Sequence, residues 1–125
     1  MALDFMGPTQ TYHWESQDDR IFEVIKQLDL KAPQFENIFE AYYSDPNVVV
    51  ETFHKEINLV LTSYQEHRKA ELIRERKIRA KNPEVLRSIV QPMLDADPII
   101  QTLQALQAVC EDAMLHGQGI QCVSD

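Results

Sequence analysis

Three Asx-Pro pairs constrain the folds that this chain can adopt. They are Asp45-Pro46, Asn82-Pro83 and Asp97-Pro98, and each precedes a segment with apolar residues at helical spacing. An Asp or Asn side chain accepts hydrogen bonds from the first free N–H groups of a helix, and proline at the first helical position presets φ without removing an internal bond. The three pairs therefore predict three helix starts and indicate a mainly helical chain.

Apolar residues spaced three to four positions apart predict two further helices before the first Asx-Pro pair. Ser16 followed by Asp19 resembles a capping box, which predicts a helix that ends at about Leu28. The second helix covers about residues 33–43, with an apolar stripe of Phe35, Ile38, Phe39 and Tyr42. No strand is predicted, because the valines at 48–50 follow an Asp-Pro pair and continue into a helical stripe.

The second and third Asx-Pro pairs predict the last two helices. One covers about residues 83–95, and Pro92 within it is expected to kink or shorten it because proline has no N–H. The stripe of this helix that we expect to be buried consists of Leu86, Ile89 and Met93. The other helix covers about residues 98–116, and Gly117 is well placed to end it.

These segments predict an all-α fold, a small bundle of about five helices with one long central helix. Residues 1–15 are expected to form an N-terminal leader, residues 16–117 a single helical domain, and residues 118–125 a flexible C-terminal tail. The chain has 125 residues, of which 44% are hydrophobic. It is therefore close to the commonest domain size and can form a core of its own.

The third predicted helix is long for a bundle of this size. If it ran unbroken from Pro46 to Lys81, it would span roughly 54 Å, whereas a compact domain of this length is about 35–40 Å across. The helix must project, pack against a second subunit, or break near its middle. Its apolar stripe ends at Tyr64, and beyond that residue basic side chains surround the helix.

Seven of the twelve basic residues lie between positions 68 and 81, in a chain with a formal net charge of −8. We call residues 68–81 the basic segment, and its bases are Arg68, Lys69, Arg74, Arg76, Lys77, Arg79 and Lys81. One interpretation is a solvated helix with no partner. The other is a surface that binds an anionic partner, either an acidic protein or a nucleic acid. The segment has no aromatic residues for base stacking and no broad apolar face for a membrane surface.

The cysteine content and the absence of targeting signals indicate an intracellular protein, cytoplasmic or nuclear. No apolar run approaches the roughly 20 residues that cross a bilayer, and the amino terminus does not resemble a secretory signal, so no membrane association is expected. Cys110 and Cys122 are too few for a disulfide framework. Cys110 lies on an apolar stripe and is expected to be buried, whereas Cys122 lies in the predicted tail and is expected to be the more reactive thiol.

No catalytic motif is evident, so the sequence predicts no enzyme and no cofactor. With three glycines, the chain contains no phosphate-binding loop. Glu51 and His54 form an E-x-x-H pair, which carboxylate-bridged di-iron bundles use twice, together with two further glutamates. Only one such pair is present. A chance surface pair is therefore the alternative to a metal site at Glu51 and His54.

Four apolar residues lie in the leader or off the main stripe of their helix, and they are candidates for partner or dimer contacts: Trp14, Phe22, Val48 and Leu59. Ordinary core packing is the alternative. The main functional hypothesis is a non-enzymatic, homo-oligomeric adaptor or assembly module. It would act through protein–protein contacts and a positively charged helical arm. The alternatives are a nucleic-acid-binding accessory subunit that uses the basic segment and a helical metalloprotein that uses Glu51 and His54.

Overall fold

The computed structural model describes residues 2–124, which form five α-helices and a three-stranded antiparallel sheet. The all-α prediction is therefore wrong, although five helices and a long third one are present. The helices are α1 (Arg20–Gln27), α2 (Pro33–Glu40), α3 (Val50–Glu75), α4 (Pro83–Asp95) and α5 (Pro98–Leu115). The strands are β1 (Leu3–Met6), β2 (Thr11–Trp14) and β3 (Gln121–Ser124), and a short 3₁₀ helix (Ser16–Asp19) precedes α1. Within residues 2–124, no helix combines the length and the hydrophobicity that a membrane span requires.

The sheet brings the two ends of the chain together. β1 is the central strand and pairs antiparallel with both β2 and β3. Leu3 of β1 lies opposite Trp14 of β2 on one side and opposite Ser124 of β3 on the other. A strand from each end of the chain therefore completes one sheet.

The strands come from the segments that the sequence analysis assigned to a leader and a tail. Residues 1–15 contain β1 and β2, and residues 118–125 contain β3, while the first and last residues of the chain lie outside the described residues. The Ser124 N–H donates to Asp45 Oδ1 at 2.7 Å, and the Ser124 hydroxyl donates to the Tyr42 carbonyl at 2.7 Å. These bonds attach β3 to the connection between α2 and α3.

The sheet shares one hydrophobic core with the helices. Leu3, Phe5 and Trp14 have no exposed surface. The Phe5 ring centroid lies 5.9 Å from that of Phe53 in α3 and 6.0 Å from that of Trp14. Fully burying one such side chain contributes about 1.5–3 kcal/mol. The strands are therefore an integral part of the domain.

A buried carboxylate attaches the β1–β2 hairpin to α5. Asp112 Oδ2 accepts the backbone N–H groups of Thr9 at 2.8 Å and Gln10 at 3.0 Å, and Asp112 Oδ1 accepts the Thr9 hydroxyl at 2.6 Å. These donors hold the pKa of Asp112 below its usual range. A Cβ on Gly7 would lie 2.8 Å from Asp112 Oδ2, so glycine lets the turn approach the helix.

Two of the three Asx-Pro pairs start helices as predicted. Asn82 accepts a backbone N–H of the first turn of α4 at 2.9 Å, and Asp97 accepts two in α5 at 2.8 and 3.4 Å. The prediction for Asp45 is wrong, because α3 begins only at Val50. Asp45 instead adopts a φ of +48° and pairs with Ser124. A contact with the other end of the chain therefore replaces the expected helix cap.

The long helix is shorter than the predicted 46–81. α3 has 26 residues, which span about 39 Å, so it fits a compact domain of about 35–40 Å. It ends in a Schellman motif, in which Lys77 has a φ of +50°. The Ile78 N–H bonds to the Ile73 carbonyl at 3.0 Å, and the Lys77 N–H bonds to the Arg74 carbonyl at 3.3 Å. The helix thus stops inside the basic segment.

The core-facing side of α4 differs from the predicted stripe. Val90 and Leu94 are 1% and 6% exposed, whereas Ile89, which was expected to be buried, is 39% exposed. Pro92 lies inside α4, and the helix continues past it to Asp95. Leu86 and Met93, the other two residues of the predicted stripe, are partly buried against the core, so the bounds of this helix were well predicted but its buried face was not.

Candidate interaction surfaces

The basic segment covers the end of α3 and the connection to α4. Three of its bases lie in α3: Arg68, Lys69 and Arg74. Four follow the last residue of α3: Arg76, Lys77, Arg79 and Lys81. The segment is therefore a helix end followed by a loop, and only its first half matches the predicted helical arm.

Arg68 is part of the packing between α3 and α5. Its guanidinium lies 3.5 Å from Glu71 and 3.6 Å from Glu75 on the same helix, and 3.7 Å from Asp97, the cap of α5. The Tyr64 hydroxyl donates to the same Asp97 carboxylate at 2.8 Å, and burial raises the pKa of Tyr64. Arg68 is half-buried and already surrounded by carboxylates. It therefore has a structural role and offers little charge to a partner.

The other six bases of the segment are exposed: Lys69, Arg74, Arg76, Lys77, Arg79 and Lys81. None of them forms an ion pair with another residue between positions 2 and 124. The carboxylates of this part of the chain therefore do not neutralise the segment by direct contact. The result is a positive surface on a protein whose net charge is negative.

The four apolar contact candidates occupy different environments. Trp14 has no exposed surface, and its indole N–H donates to Asp19 at 2.9 Å, so it is a core residue rather than a surface contact. Phe22 and Val48 are partly buried against the core. Leu59 is 43% exposed on α3. Of the four, Leu59 is therefore the one that is exposed and could contact a partner without rearrangement.

Within the described residues, Glu51 and His54, the predicted metal ligands, do not form a metal site with a third side chain. His54 Nε2 lies 3.4 Å from Glu111 Oε1 on α5, whereas Glu51 is exposed in the first turn of α3. Between residues 2 and 124, no group of three or more His, Cys, Asp or Glu side chains is arranged to hold a metal ion. His54 is thus positioned as a contact between α3 and α5.

Both cysteines are buried free thiols. Cys110 in α5 is 0% exposed and Cys122 in β3 is 5% exposed. Burial raises the pKa of each thiol to about 12. Because the thiolate is the reactive form, both are poor nucleophiles at neutral pH. The expectation that Cys122 is exposed and reactive is wrong, since its segment forms a strand of the sheet.

A polar network links β2, the 3₁₀ helix and α5. The Asp18 carboxylate accepts the hydroxyls of Tyr12 at 2.9 Å and Thr102 at 3.0 Å, and a backbone N–H at the start of the 3₁₀ helix at 3.0 Å. Burial raises the pKa of Tyr12 to about 12. Asp18 therefore caps the start of the 3₁₀ helix. The sequence analysis had assigned the capping box to Ser16 and Asp19. Because the Asp18 oxygens are all engaged within the protein, the network has a structural role.

A groove of about 660 Å³ lies between α1 and α2, and the sequence pattern did not reveal it. Its apolar lining consists of Phe22, Ile25, Leu30, Phe35 and Phe39. Its charged lining consists of five acids and one base: Asp19, Glu23, Asp29, Glu36, Glu40 and Lys26. Phe39 is 63% exposed, and its ring lies 5.1 Å from that of Phe22. We call this surface the acidic groove.

A second exposed apolar surface lies on α4. Val85 and Ile89 are 48% and 39% exposed, and they lie on one face of the helix because they are four residues apart. Pro92 continues this face and is also exposed. We call these three residues the α4 stripe. Arg79 and Lys81 directly precede α4, so the stripe begins where the basic segment ends.

Comparisons with known proteins add no functional assignment. No protein-family model, curated protein or solved structure matches the chain. The three surfaces that could bind a partner are the basic segment, the acidic groove and the α4 stripe.

Proposed function

We propose that the protein is a non-enzymatic assembly module that binds an acidic protein surface through the exposed bases of the basic segment. The observation that carries this proposal is that six exposed bases between residues 69 and 81 form no ion pair with any residue in 2–124. Arg68 is excluded from the binding surface because it is already paired with carboxylates. The proposed surface is thus smaller than the segment that the sequence defines.

The six exposed bases lie within residues 69–81 of the chain. Charges at a protein surface interact over a Debye length of about 8 Å at physiological ionic strength. A single exposed ion pair contributes only about 0–1 kcal/mol. A cluster of like charges mainly increases the association rate and orients the incoming partner. Binding through this surface should therefore weaken steeply as the salt concentration rises.

A nucleic acid is the alternative anionic partner. The same bases would neutralise its phosphates, also with a strong salt dependence. However, residues 68–81 contain no aromatic side chain on which bases could stack. The helix also ends at Glu75, so the segment is not a continuous basic helix of the kind that enters a major groove. These features favour a protein partner over a nucleic acid.

Charge reversal in the basic segment tests the proposal. The test variant is Arg74→Glu, Arg76→Glu and Arg79→Glu, and Lys77 is left unchanged because of its backbone conformation. The probes are a polyglutamate peptide and a DNA duplex of matched charge, each with a fluorescent label whose anisotropy reports binding. We expect the test variant to bind the peptide at least about tenfold more weakly, a loss of roughly 1.4 kcal/mol.

The matched control reverses three exposed bases elsewhere: Lys26→Glu, Lys31→Glu and Lys55→Glu. Both variants have the same net charge, so the control is expected to retain most of the binding. Equal weakening in the two variants would mean that only the total charge matters and would refute the role of the segment. Stronger binding of the wild-type protein to the duplex than to the peptide would replace the proposal with the nucleic-acid alternative.

We also propose that the protein is intracellular and homo-oligomeric. The two cysteines, kept as free buried thiols, are compatible with a reducing compartment. The acidic groove and the α4 stripe leave large apolar side chains in contact with water. Exposed apolar surfaces rimmed by charged residues often mark sites of protein–protein contact.

A further inference from the structure

The acidic groove has the features of a receptor for an amphipathic helix. It is concave, and its apolar lining includes Phe39, which is 63% exposed. With five acids and one base, the charged lining has a formal net charge of −4. Grooves that bind amphipathic helices take apolar anchors spaced three, four or seven residues apart. An occupant of this groove should therefore combine such anchors with basic residues.

The α4 stripe has the complementary features. Val85, Ile89 and Pro92 are exposed at positions i, i+4 and i+7 of a helix. The bases Arg79 and Lys81 lie just before α4. Within α4, Glu84 is the acid of the first turn, and the exposed Arg87 lies away from the stripe because it is two residues from both Val85 and Ile89. The positive charge at the start of α4 therefore comes from Arg79 and Lys81 in the preceding loop.

We infer that two copies of the chain associate head to tail, with the α4 stripe of one copy in the acidic groove of the other. The inference rests on the proposed assembly function and identifies the acidic partner surface as that of a second copy. Aromatic side chains meet aliphatic ones and carboxylates meet bases, while both surfaces are uncovered in the single chain. The contact removes from water the exposed apolar groups on both sides, which favours association.

In the inferred head-to-tail arrangement each copy gives its stripe to one neighbour and its groove to another, so the contact is heterologous. A reciprocal pairing, in which each stripe fills the groove of the same partner, would stop at a two-fold dimer and would contradict the inference. Each pair of copies retains one unoccupied groove and one unoccupied stripe. Association then continues to a closed ring or an open chain, and not to a two-fold symmetric dimer. This property separates the inference from an ordinary symmetric dimer and gives it a specific test.

The test uses two variants, each with one surface disabled, in sedimentation velocity experiments. The groove variant is Phe39→Ser with Glu40→Lys, and the stripe variant is Val85→Ser with Ile89→Ser. All four side chains are at least partly exposed, so the monomer fold should be retained. Wild-type protein should increase in mass with concentration, whereas each variant alone should dissociate at least about tenfold more readily.

The equimolar mixture of the two variants gives the decisive result. The stripe of the groove variant fits the intact groove of the stripe variant, so the mixture should form a dimer of twice the 14.5 kDa chain mass. No larger species should form, because the remaining groove and stripe are both disabled. The control, Leu115→Ser with Glu51→Lys, makes the same kinds of change at exposed positions outside both surfaces and should associate like wild type.

Three results would overturn the inference: wild-type protein that stays monomeric at high concentration, a variant mixture that stays monomeric, or a control that dissociates as readily as the variants. These failures remain distinguishable from a failure of the proposed function. The groove and stripe variants leave the bases between 69 and 81 unchanged. Retained polyglutamate binding together with no self-association would therefore refute the inference and the proposed homo-oligomer, and would leave intact the proposal that the basic segment binds an acidic protein surface.

Discussion

Lys77 occupies a backbone position where glycine should be more stable. Its φ of +50° lies in the left-handed region, which costs a residue with a Cβ about 1–2 kcal/mol. Glycine avoids this strain, but its greater freedom in the unfolded chain offsets about 0.4–1 kcal/mol of the gain. The Lys77 side chain is exposed and makes no ion pair with residues 2–124. We therefore expect Lys77→Gly to raise the free energy of unfolding by about 0.5–1 kcal/mol.

Lys69→Gly is the matched control, because it removes the same charge from an exposed position inside α3. Glycine inside a helix is less favourable than alanine by about 0.8–1 kcal/mol. Lys69→Gly should therefore lower the free energy of unfolding. A third variant, Lys77→Ala, removes the charge but keeps a Cβ, so it should show no comparable gain. The free energies come from urea denaturation followed by helical circular dichroism.

The two glycine variants are expected to have opposite signs. If Lys77→Gly destabilised the protein as much as Lys69→Gly, Lys77 would have a helical conformation in solution. α3 would then continue past Glu75, and the Schellman end would be refuted. The longer helix indicated by the sequence would then be the better description.

Two further predictions concern titratable groups. The pKa of Asp112 is lower in the folded state than in the unfolded chain. The ionised carboxylate therefore stabilises the fold at a pH above the unfolded-state pKa of about 3.9. This stabilisation is lost as the pH falls through the folded-state pKa. Acid titration of the unfolding free energy should show a smaller loss over this window for Asp112→Asn than for wild type, and an equal loss would contradict the assigned role. Cys110 and Cys122, whose pKa values are raised to about 12, should resist a thiol reagent in the native protein and react fully in denaturant. Rapid labelling of either thiol in the native state would show that it is not buried.

Local signals in the sequence were sufficient to predict most of the helices. Asn82 and Asp97 cap α4 and α5 through bonds to residues two or three positions away. Gly117 has a φ of +62° just beyond α5, where a left-handed residue ends a helix. Each of these interactions lies within a few residues of the chain, so periodicity and residue type identify it.

The sheet could not be predicted in the same way, because its stabilising contacts are distant in sequence. Each strand has four residues, too few to show a clear alternation of apolar and polar side chains. β1 pairs with β3 at the opposite end of the chain, with Phe5 opposite Cys122. The role of Asp45 was mispredicted for the same reason. Its hydrogen bond with the distant Ser124 replaces the helix cap that its local sequence indicates.

The charge of the basic segment was evident from the sequence, but the sequence did not show which of its bases form ion pairs within residues 2–124. Arg68 differs from its neighbours because α5 brings Asp97 within 3.7 Å of it. Similarly, a helical stripe containing Ile89 and one containing Val90 both fit the periodicity of α4. Tertiary packing buries Val90 and leaves Ile89 exposed. Phe39 belongs to the predicted stripe of α2, yet it is exposed at the acidic groove.

The most direct test of the central claim is to map polyglutamate binding on the protein by amide chemical shifts. We predict that the largest shift changes fall between residues 69 and 81 and disappear at high salt. They should also be absent in the variant with Arg74→Glu, Arg76→Glu and Arg79→Glu. Shift changes centred on other residues, or none in the wild-type protein, would contradict the claim that the exposed bases form the binding surface.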